Sequence, residues 1–360
     1  MNMATKIPAT MRALALSHHC NPSEYNVATL PTPKITQPDE LLIRVHAASV
    51  NPIDVKLAGG LGKLLGKASF PYKMGFDLSG TVAAVGSGVS NFKPGDEVYS
   101  RINERYRGSI AEYALSSTSE TALKPNTLSF IEAAAIPLAG LTALQALDIG
   151  QRTLDGGLEG KTVFVPAGLS GTGSFAVQLA KGVFGARNVI TTLSTGKIPM
   201  IKASMGSRGP DTIVDYTKEN VVKSVGKGQV DFMFDTVGQT VPALGVMRKG
   251  GMIVSISTVP NGTEFKKKNK GMPTWLVVAL NIFDWMLRTW TSIWGIKYKY
   301  LVLEGNARDL ERMRGWVDEG RLKPVVGQRA KLSDIDGVRS GCQQILEGKG
   351  GVGKFVIEID

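Results

Sequence analysis

The sequence is poor in residues that form disulfides or bind metals. Its 360 residues include two cysteines, Cys20 and Cys342, and three histidines, His18, His19 and His46. Two cysteines exclude a disulfide framework and a four-cysteine zinc site within one chain. This usage is typical of proteins in a reducing, intracellular compartment.

The start of the chain also lacks the features of a targeting segment. MNMATKIPATMRALAL has neither a long apolar core nor a small-residue cleavage site, so we expect no secretory signal. It is not typical of a mitochondrial presequence either. The expected location is the cytoplasm, with the mitochondrion as the alternative.

Positive charge is present but is not concentrated. The formal net charge is +11, and the lysines and arginines are spread along the chain with few aromatic residues among them. The densest run, Lys266, Lys267, Lys268 and Lys270, is typical of a solvated loop. We therefore expect no nucleic-acid partner.

The pattern of the chain changes near residue 138. Residues 11 to 137 contain strand-like runs broken by Pro, Gly and Asp, which predicts a compact, barrel-like β-rich domain. From residue 138, helical stretches alternate with the strands TVFVP, NVITTL, TIVDY, VDFMFDTVG and GMIVSIST. Such alternation predicts an α/β domain with a doubly wound parallel sheet.

The run VFVPAGLSGTGSFAVQLAK, starting at Val163, has the pattern of a strand, a glycine-rich turn and a helix. We predict that the helix spans Ser174 to Lys181 and points its free N–H groups at a pyrophosphate, as in dinucleotide-binding folds. Ala167 and Ser170 depart from the G-x-G-x-x-G pattern. The predicted cofactor contacts in this turn are Gly168, Leu169, Ser170, Gly171, Thr172 and Gly173.

The second strand of this unit lacks the acidic residue that binds the ribose of NAD. No Asp or Glu lies between Arg187 and Pro210. The strand instead ends in Ser194, Thr195 and Lys197, whose hydroxyls and ammonium suit a 2′-phosphate, so we expect NADPH rather than NADH. The alternative is that Lys197 is a solvated lysine. Because ligands bind at the carboxyl ends of such strands, the further predicted contacts are Tyr216, Val237, Gly238 and Ser257.

Several ordered motifs together give the chain a family resemblance. They include ASVNPIDVKLAGG, GFDLSGTVAAVGSGVSNFKPGDEV, GSIAEYA, AAAIPLAGLTALQAL, EGRLKPVV and GKFVIEI. With the glycine turn, they make the chain resemble the medium-chain dehydrogenases/reductases. The resemblance is to the zinc-independent quinone oxidoreductase branch, and most closely to the reticulon-interacting mitochondrial oxidoreductases and their fungal relatives.

The resemblance implies a GroES-like β-rich domain made of residues 1–137 and 304–360, and a Rossmann NADPH-binding domain made of residues 138–303. The active cleft would lie between them. Zinc-dependent relatives carry a Cys and a His that correspond here to the region of Asn51 to Asp54 and to Phe76. Because these ligands are replaced and the chain has no C-x-x-C, we expect no metal.

The implied activity is hydride transfer from NADPH to a quinone or an enone, an activated C=C bond, of an apolar substrate. By resemblance, Asn51 borders the nicotinamide and Thr142 lies near its ribose. The Tyr that many relatives use as a proton donor is replaced by Lys56, which is a candidate donor or a surface lysine. Tyr106 is a second candidate. The alternative to a functional role for Asn51 is that the Asn51-Pro52 pair forms a turn that fixes the backbone.

Residues 272–303 contain four of the five tryptophans. Asp284 and Arg288 interrupt the apolar run, so it is too short to cross a bilayer. It is either an interfacial helix that gives peripheral membrane contact or a lid and subunit contact. We favour a lid over an apolar pocket in a homodimer, as the resemblance implies.

Two other functions stay open. One is a dedicated enoyl reductase of a polyketide or terpenoid pathway, in which Lys63, Lys67 and Lys73 would bind a phosphopantetheine or CoA group; these lysines are equally explained as solvated charges. The other is a non-catalytic NADPH-binding protein.

Overall fold

The computed structural model describes residues 7–63, 69–349 and 351–360, without the side chain of Lys268. Its strands are β1 Thr10–Leu16, β2 Val27–Pro31, β3 Glu40–Val50, β4 Tyr72–Lys73, β5 Asp77–Val85, β6 Glu97–Arg101, β7 Tyr113–Ser117, β8 Thr121–Leu123, β9 Thr162–Pro166, β10 Asn188–Leu193, β11 Thr212–Asp215, β12 Val230–Asp235, β13 Met247–Ser255, β14 Lys297–Tyr300, β15 Val326–Lys331 and β16 Lys354–Glu358. Its helices are α1 Pro52–Ala58, α2 Phe130–Ala134, α3 Pro137–Thr153, α4 Gly171–Gly182, α5 Ile198–Met205, α6 Val221–Val225, α7 Gly262–Lys268, α8 Thr274–Ile293, α9 Ala307–Asp318 and α10 Ile335–Leu346.

Six strands form a parallel sheet in the order β11-β10-β9-β12-β13-β14. Every residue of β9 and β12 is buried, as expected for apolar strands covered on both faces. Val163 and Val165 lie in one core with residues of α3 and α4, whereas Phe164 lies in a second core on the opposite face. This doubly wound Rossmann sheet confirms the predicted fold class.

A second sheet contains strands from both ends of the chain. Its order is β15-β16-β3-β5-β6-β8, with β7 paired to β3. The C-terminal strand β16 runs antiparallel to β3, with Val356 opposite Ser49. This is the β-rich, GroES-like part of the predicted fold. Leu310 and Met313 of α9 pack in the core of the parallel sheet, so the exact domain boundaries stay a prediction.

The helix after the glycine turn begins earlier than predicted. It starts at Gly171 rather than Ser174, because the hydroxyl of Ser170 caps it by accepting a hydrogen bond from the N–H of Gly173 at 3.0 Å. Gly171 and Gly173 therefore belong to the first helical turn. The residue of the turn with a left-handed backbone is Ala167, with φ of 57°.

The tryptophan-rich segment forms α8, a helix of 20 residues. Among the helices in the described parts of the chain, none combines the length and the apolar content needed to cross a bilayer. In the structure, α8 packs beside α7 and β14, at the edge of the parallel sheet.

Candidate cofactor and active site

The predicted cofactor residues lie along one edge of the parallel sheet, where the strands end. The N–H of Ala167, after β9, donates to the hydroxyl of Thr192 on β10 at 3.2 Å. The N–H of Gly238, after β12, donates to the hydroxyl of Ser257, after β13, at 2.7 Å. Since these contacts join the ends of neighbouring strands, the structure brings the predicted strand-end residues to one edge.

The glycine turn is packed too closely for side chains. A Cβ on Gly168 would lie 2.3 Å from the hydroxyl oxygen of Thr191, and one on Gly173 would lie 2.3 Å from the carbonyl oxygen of Ala167. In the first turn of α4, the N–H groups of Gly171 and Thr172 precede any intrahelical acceptor and lie at the positive end of the helix dipole. These residues fit the pyrophosphate of a dinucleotide.

An acidic residue outside the predicted set lies beside the predicted 2′-phosphate site. Asp215, at the end of β11, accepts hydrogen bonds from the hydroxyls of Thr195 and Thr217. The hydroxyl of Thr195, followed by that of Thr217, lowers the pKa of Asp215. Between Arg187 and Pro210 the sequence has no carboxylate, but the adjacent strand supplies one.

The other predicted residues of this part have different surroundings. Tyr216 is 57% exposed, and its N–H donates to the carbonyl of Leu193 at 3.1 Å. Lys197 is half-buried, and its ammonium donates to the carbonyl of Gly351 at 3.0 Å. Ser194 is half-buried just before Lys197. Lys197 thus connects the end of β10 to the segment that leads into β16.

Asp235, at the end of β12, orders the loop that contains Val237 and Gly238. One carboxylate oxygen accepts from the N–H groups of Val237, Gly238 and Gln239 at 3.2, 2.8 and 2.8 Å. The other accepts from the N–H and the hydroxyl of Thr240 at 2.9 and 2.6 Å. Asp235 was not among the predicted site residues, although an Asp that ends the apolar strand VDFMFD is a visible signal.

A buried polar network lies at the end of β3. The side-chain amide of Asn51 donates to Asp77 at 2.9 Å, and its oxygen accepts a hydrogen bond from the ammonium of Lys354. Lys354 also lies 3.7 Å from Asp77, and Ser49 donates to the same carboxylate at 3.1 Å. All four side chains are buried, so both polar atoms of the Asn51 side chain are already bonded within the protein.

Three ionisable groups of this network have shifted pKa values. Burial raises the pKa of Asp54 to about 7. The hydrogen bond that Asp54 accepts from the N–H of Asn51 at 2.7 Å acts in the opposite direction and lowers the pKa. Burial also raises the pKa of Asp77, which the charge of Lys354 opposes. Burial lowers the pKa of Lys354, which the charge of Asp77 opposes. The charge of one buried cation, Lys354, thus acts on two buried carboxyl groups.

The start of α3 joins this network to Thr142. The N–H of Leu138 donates to Asp77 at 2.9 Å, and the carbonyl of Leu138 accepts from the hydroxyl of Thr142 at 2.6 Å. Thr142 is buried. Asp77 is therefore bonded to β3 through Ser49 and to the beginning of α3, which lies against α4.

Of the three predicted catalytic residues, only Asn51 belongs to this network. Lys56 lies on α1 and is exposed. The hydroxyl of Tyr106 donates to Glu40 at 3.1 Å, and burial and the charge of Glu40 raise the pKa of Tyr106 to about 12. Arg105 also binds Glu40, at 3.0 Å. Catalytic roles for Lys56 and Tyr106 stay predictions.

Lys354 connects the network to the glycine turn. A Cβ on Gly171 would lie 2.8 Å from Cδ of Lys354, and the N–H of Gly353 donates to the carbonyl of Leu169 at 2.7 Å. Neither Asp77 nor Lys354 was among the predicted site residues. Their signals were present in the motifs GFDLSG and GKFVIEI, but their contact depends on strands far apart in the chain.

The other groups considered in the sequence lie outside this site. His18, Cys20 and Glu24, in the connection between β1 and β2, have potential ligand atoms within 4.8 Å of one another. His18 lies 3.4 Å from Glu24, as in an ion pair between exposed side chains. Lys63 is exposed and Lys73 is half-buried, whereas Lys67 lies outside the described residues.

Two family models match the chain. Residues 37–126 match the alcohol dehydrogenase GroES-like domain, and residues 208–357 match the zinc-binding dehydrogenase model. A relative that is 35% identical spans 89% of this chain and 72% of its own length. The chain belongs to the medium-chain dehydrogenase/reductase family. That relative is the NADPH-dependent alkenal/one oxidoreductase, chloroplastic, of Arabidopsis thaliana.

Other members of the family are similar over most of their length. The trans-enoyl reductase pgmF of Aspergillus terreus is 30% identical over 99% of both chains. The mitochondrial NAD(P)H oxidoreductase RTN4IP1 of Mus musculus is 29% identical over 84% of this chain and 78% of its own. The structure of a quinone oxidoreductase from Coxiella burnetii is 29% identical, with a TM-score of 0.79, over 98% of this chain and 100% of that one. These similarities confirm the family expected from the motifs.

Proposed function

We propose that this medium-chain reductase is zinc-independent and transfers hydride from NADPH to a quinone or an activated C=C bond of an apolar substrate. The observation that carries the proposal is the contact between Lys354 and the glycine turn. It joins a helix N-terminus suited to a pyrophosphate to the buried network around Asn51. When bound, the dinucleotide supplies the hydride.

In this proposal the network positions the substrate and the cofactor rather than transferring protons. Because Asp77 and Lys354 bind both polar atoms of the Asn51 amide, that side chain is held in one orientation. The charge of the Lys354 ammonium is balanced by the carboxylate of Asp77, 3.7 Å away, so the network holds Asn51 without net positive charge. Negative charge develops on the oxygen of a quinone or enone as it accepts hydride, and a hydrogen-bond donor held near that oxygen lowers the barrier.

Zinc independence is proposed from the same network. At the positions of the zinc ligands in metal-dependent relatives, this chain has Asn51 to Asp54 and Phe76, and it places the ammonium of Lys354 beside Asn51. Turnover in the presence of a strong zinc chelator should equal turnover without it. A loss of activity that added zinc restores would contradict this part of the proposal.

The preference for NADPH rests on Ser194, Thr195 and Lys197, at the end of β10. The hydroxyl of Thr195 already donates to Asp215, so it is not free to donate to a 2′-phosphate. The charge of Lys197 is therefore the main attraction for that phosphate. The relative from Arabidopsis thaliana, named as NADPH-dependent, supports this choice.

The first experiment is NADPH consumption by the purified protein against an ortho-quinone and an enone, with NADH as the comparison. We expect NADPH to be oxidised much faster at equal concentration. Lys197→Glu should lower the affinity for NADPH by about tenfold or more and change the affinity for NADH little, since one attractive charge contact to the 2′-phosphate becomes repulsive. Lys202→Glu, an exposed lysine on α5, is the control. Equal losses with both cofactors would remove the assignment of the 2′-phosphate site.

A dedicated enoyl reductase is the second candidate, because the trans-enoyl reductase of Aspergillus terreus aligns over nearly the whole chain. A faster reaction with an enoyl thioester than with the quinone or enone would favour it. NADPH binding without turnover of any acceptor would favour the non-catalytic alternative. The homodimer and the cytoplasmic location stay predictions, the first testable by sedimentation equilibrium and the second by imaging of the tagged protein. Relatives named chloroplastic and mitochondrial leave the compartment open.

A further inference from the structure

Helix α8 has a large exposed apolar surface that the proposed reaction does not explain. Eight of its large apolar side chains are more than half exposed. They are Trp275, Val278, Ile282, Phe283, Trp285, Met286, Trp290 and Ile293. We call this set the α8 face. Trp294, which follows the helix, is 47% exposed.

The α8 face is continuous along one side of the helix. At 100° per residue, its members fall within roughly 160° of the helix circumference, and this arc contains no charged residue. The opposite side attaches the helix to the protein: Asp284 and Thr291 are buried, and Leu287 packs on the core beneath β14. A helix of this length extends about 30 Å.

Lysines lie at both ends of α8. Helix α7 packs on α8, since the N–H of Thr263 donates to the side-chain oxygen of Asn281 at 3.1 Å. Lys249 lies beside Gly295, since a Cβ on Gly295 would lie 3.5 Å from Cγ of Lys249. The lysines near the ends of α8 are Lys266, Lys267 and Lys270 near its start, and Lys249 and Lys297 near its end. Lys267 is paired with Glu264 at 2.8 Å, Lys266 is half-buried and the rest are exposed.

We propose that the α8 face binds the surface of a membrane that contains anionic phospholipids, with the helix lying in the plane of the membrane. An apolar helix face rich in tryptophan is typical of the boundary between lipid headgroups and acyl chains. Lysines beside such a face are attracted to anionic headgroups. The charge around α8 therefore favours this occupant.

Two other occupants are less consistent with the structure. A second copy that paired along β14 would bring the exposed Lys297 and Lys299 of one edge strand against those of the other. Lysines on an edge strand oppose such pairing. A lid would turn its apolar side chains towards a cavity, whereas the α8 face points to solvent.

The experiment is co-sedimentation of the full-length protein with vesicles of phosphatidylcholine alone or mixed with phosphatidylglycerol. We expect binding to the mixed vesicles, with much weaker binding to the neutral ones and at high salt. The double variant Ile282→Asp with Trp285→Asp should reduce the partition coefficient by about tenfold or more. Lys266→Glu with Lys270→Glu should reduce binding to the mixed vesicles alone. Leu346→Asp, at an exposed apolar residue on α10, is the control and should bind as the parent does.

Circular dichroism and NADPH titration show whether each variant is folded, so loss of vesicle binding can be separated from unfolding. Absence of binding to mixed vesicles, or equal binding by the double variant, would overturn the proposal. A parent dimer that the double variant converts to monomers, without vesicle binding, would identify a second copy as the occupant. A raised KM for the acceptor, again without vesicle binding, would identify a lid.

Discussion

Asp54 is a carboxyl group whose ionisation the fold disfavours. It is buried and accepts a hydrogen bond from the N–H of Asn51, and one of its oxygens has no hydrogen-bond partner among the described residues. Burial raises its pKa from 3.8 to about 7. Between these values the folded protein binds a proton that the unfolded chain has released. The contribution of Asp54 to the free energy of unfolding is therefore greatest at low pH and falls as the pH rises from about 4 towards 7.

This shift gives the first prediction. Asp54→Asn keeps an acceptor for Asn51 and cannot ionise, so its stability relative to the parent should increase between pH 4 and pH 7, by on the order of 3 kcal/mol, and then level off. Urea unfolding of both proteins across this range measures the difference. Asp155→Asn, at an exposed carboxylate, is the control. A difference that does not vary with pH would show that Asp54 has an ordinary pKa in the folded protein.

Single residues also show where sequence reasoning was limited. Asn51 was chosen because of the family motif, and the structure places it in the buried network. Lys354 and Asp77 lie 277 positions apart in the chain, and their meeting depends on the pairing of β16 and β5 with β3. No local pattern contains that contact. Asp215 was not predicted for the same reason, since the pairing of β11 with β10 brings it to this site.

At the scale of elements, the prediction was best where the pattern was strongest. β10 matches the predicted NVITTL residue for residue, because a run of β-branched and apolar residues is bounded by a turn on each side. The beginning of α4 was wrong by three residues, since glycines in a first helical turn resemble the turn before it. The Ser170 hydroxyl bond to Gly173 determines the true start.

The glycine turn gives a prediction at this scale. Gly173→Ala would place a Cβ 2.3 Å from the carbonyl oxygen of Ala167, so the turn must open. We expect a loss of about 1–3 kcal/mol in stability and a loss of about tenfold or more in affinity for NADPH and NADH alike, since the pyrophosphate is common to both. Fluorescence titration with each cofactor measures this.

Gly315→Ala is the matched control, because a Cβ there meets nothing within 4 Å on α9. It should preserve both affinities and slightly increase stability, since alanine favours a helix more than glycine does. Loss of NADPH affinity alone in Gly173→Ala would show that the turn contacts the 2′-phosphate rather than the pyrophosphate.

At the scale of the whole molecule, the end of the chain joins the two sheets. The backbone N–H of Gly353 donates to the carbonyl of Leu169 at 2.7 Å, and the backbone N–H of Lys354 donates to the carbonyl of Val325 at 2.9 Å. Lys354 then begins β16, which pairs with β3. A ligand that holds the glycine turn should therefore also stabilise the start of β16, although that strand belongs to the other sheet.

Hydrogen exchange tests this coupling. With NADPH at about 100 times its Kd, an opening that abolishes binding becomes up to about 100-fold rarer, so the amides of Gly353 and Lys354 should exchange much more slowly. The amides of Val338 and Cys342 on α10 are the internal comparison, because α10 packs in the core of the β-rich sheet, whereas Leu169 of the glycine turn belongs to the other core. Protection restricted to the turn, with Gly353 unchanged, would show that the two sheets open independently. Equal protection of α10 would instead show that these amides exchange only when the whole protein unfolds.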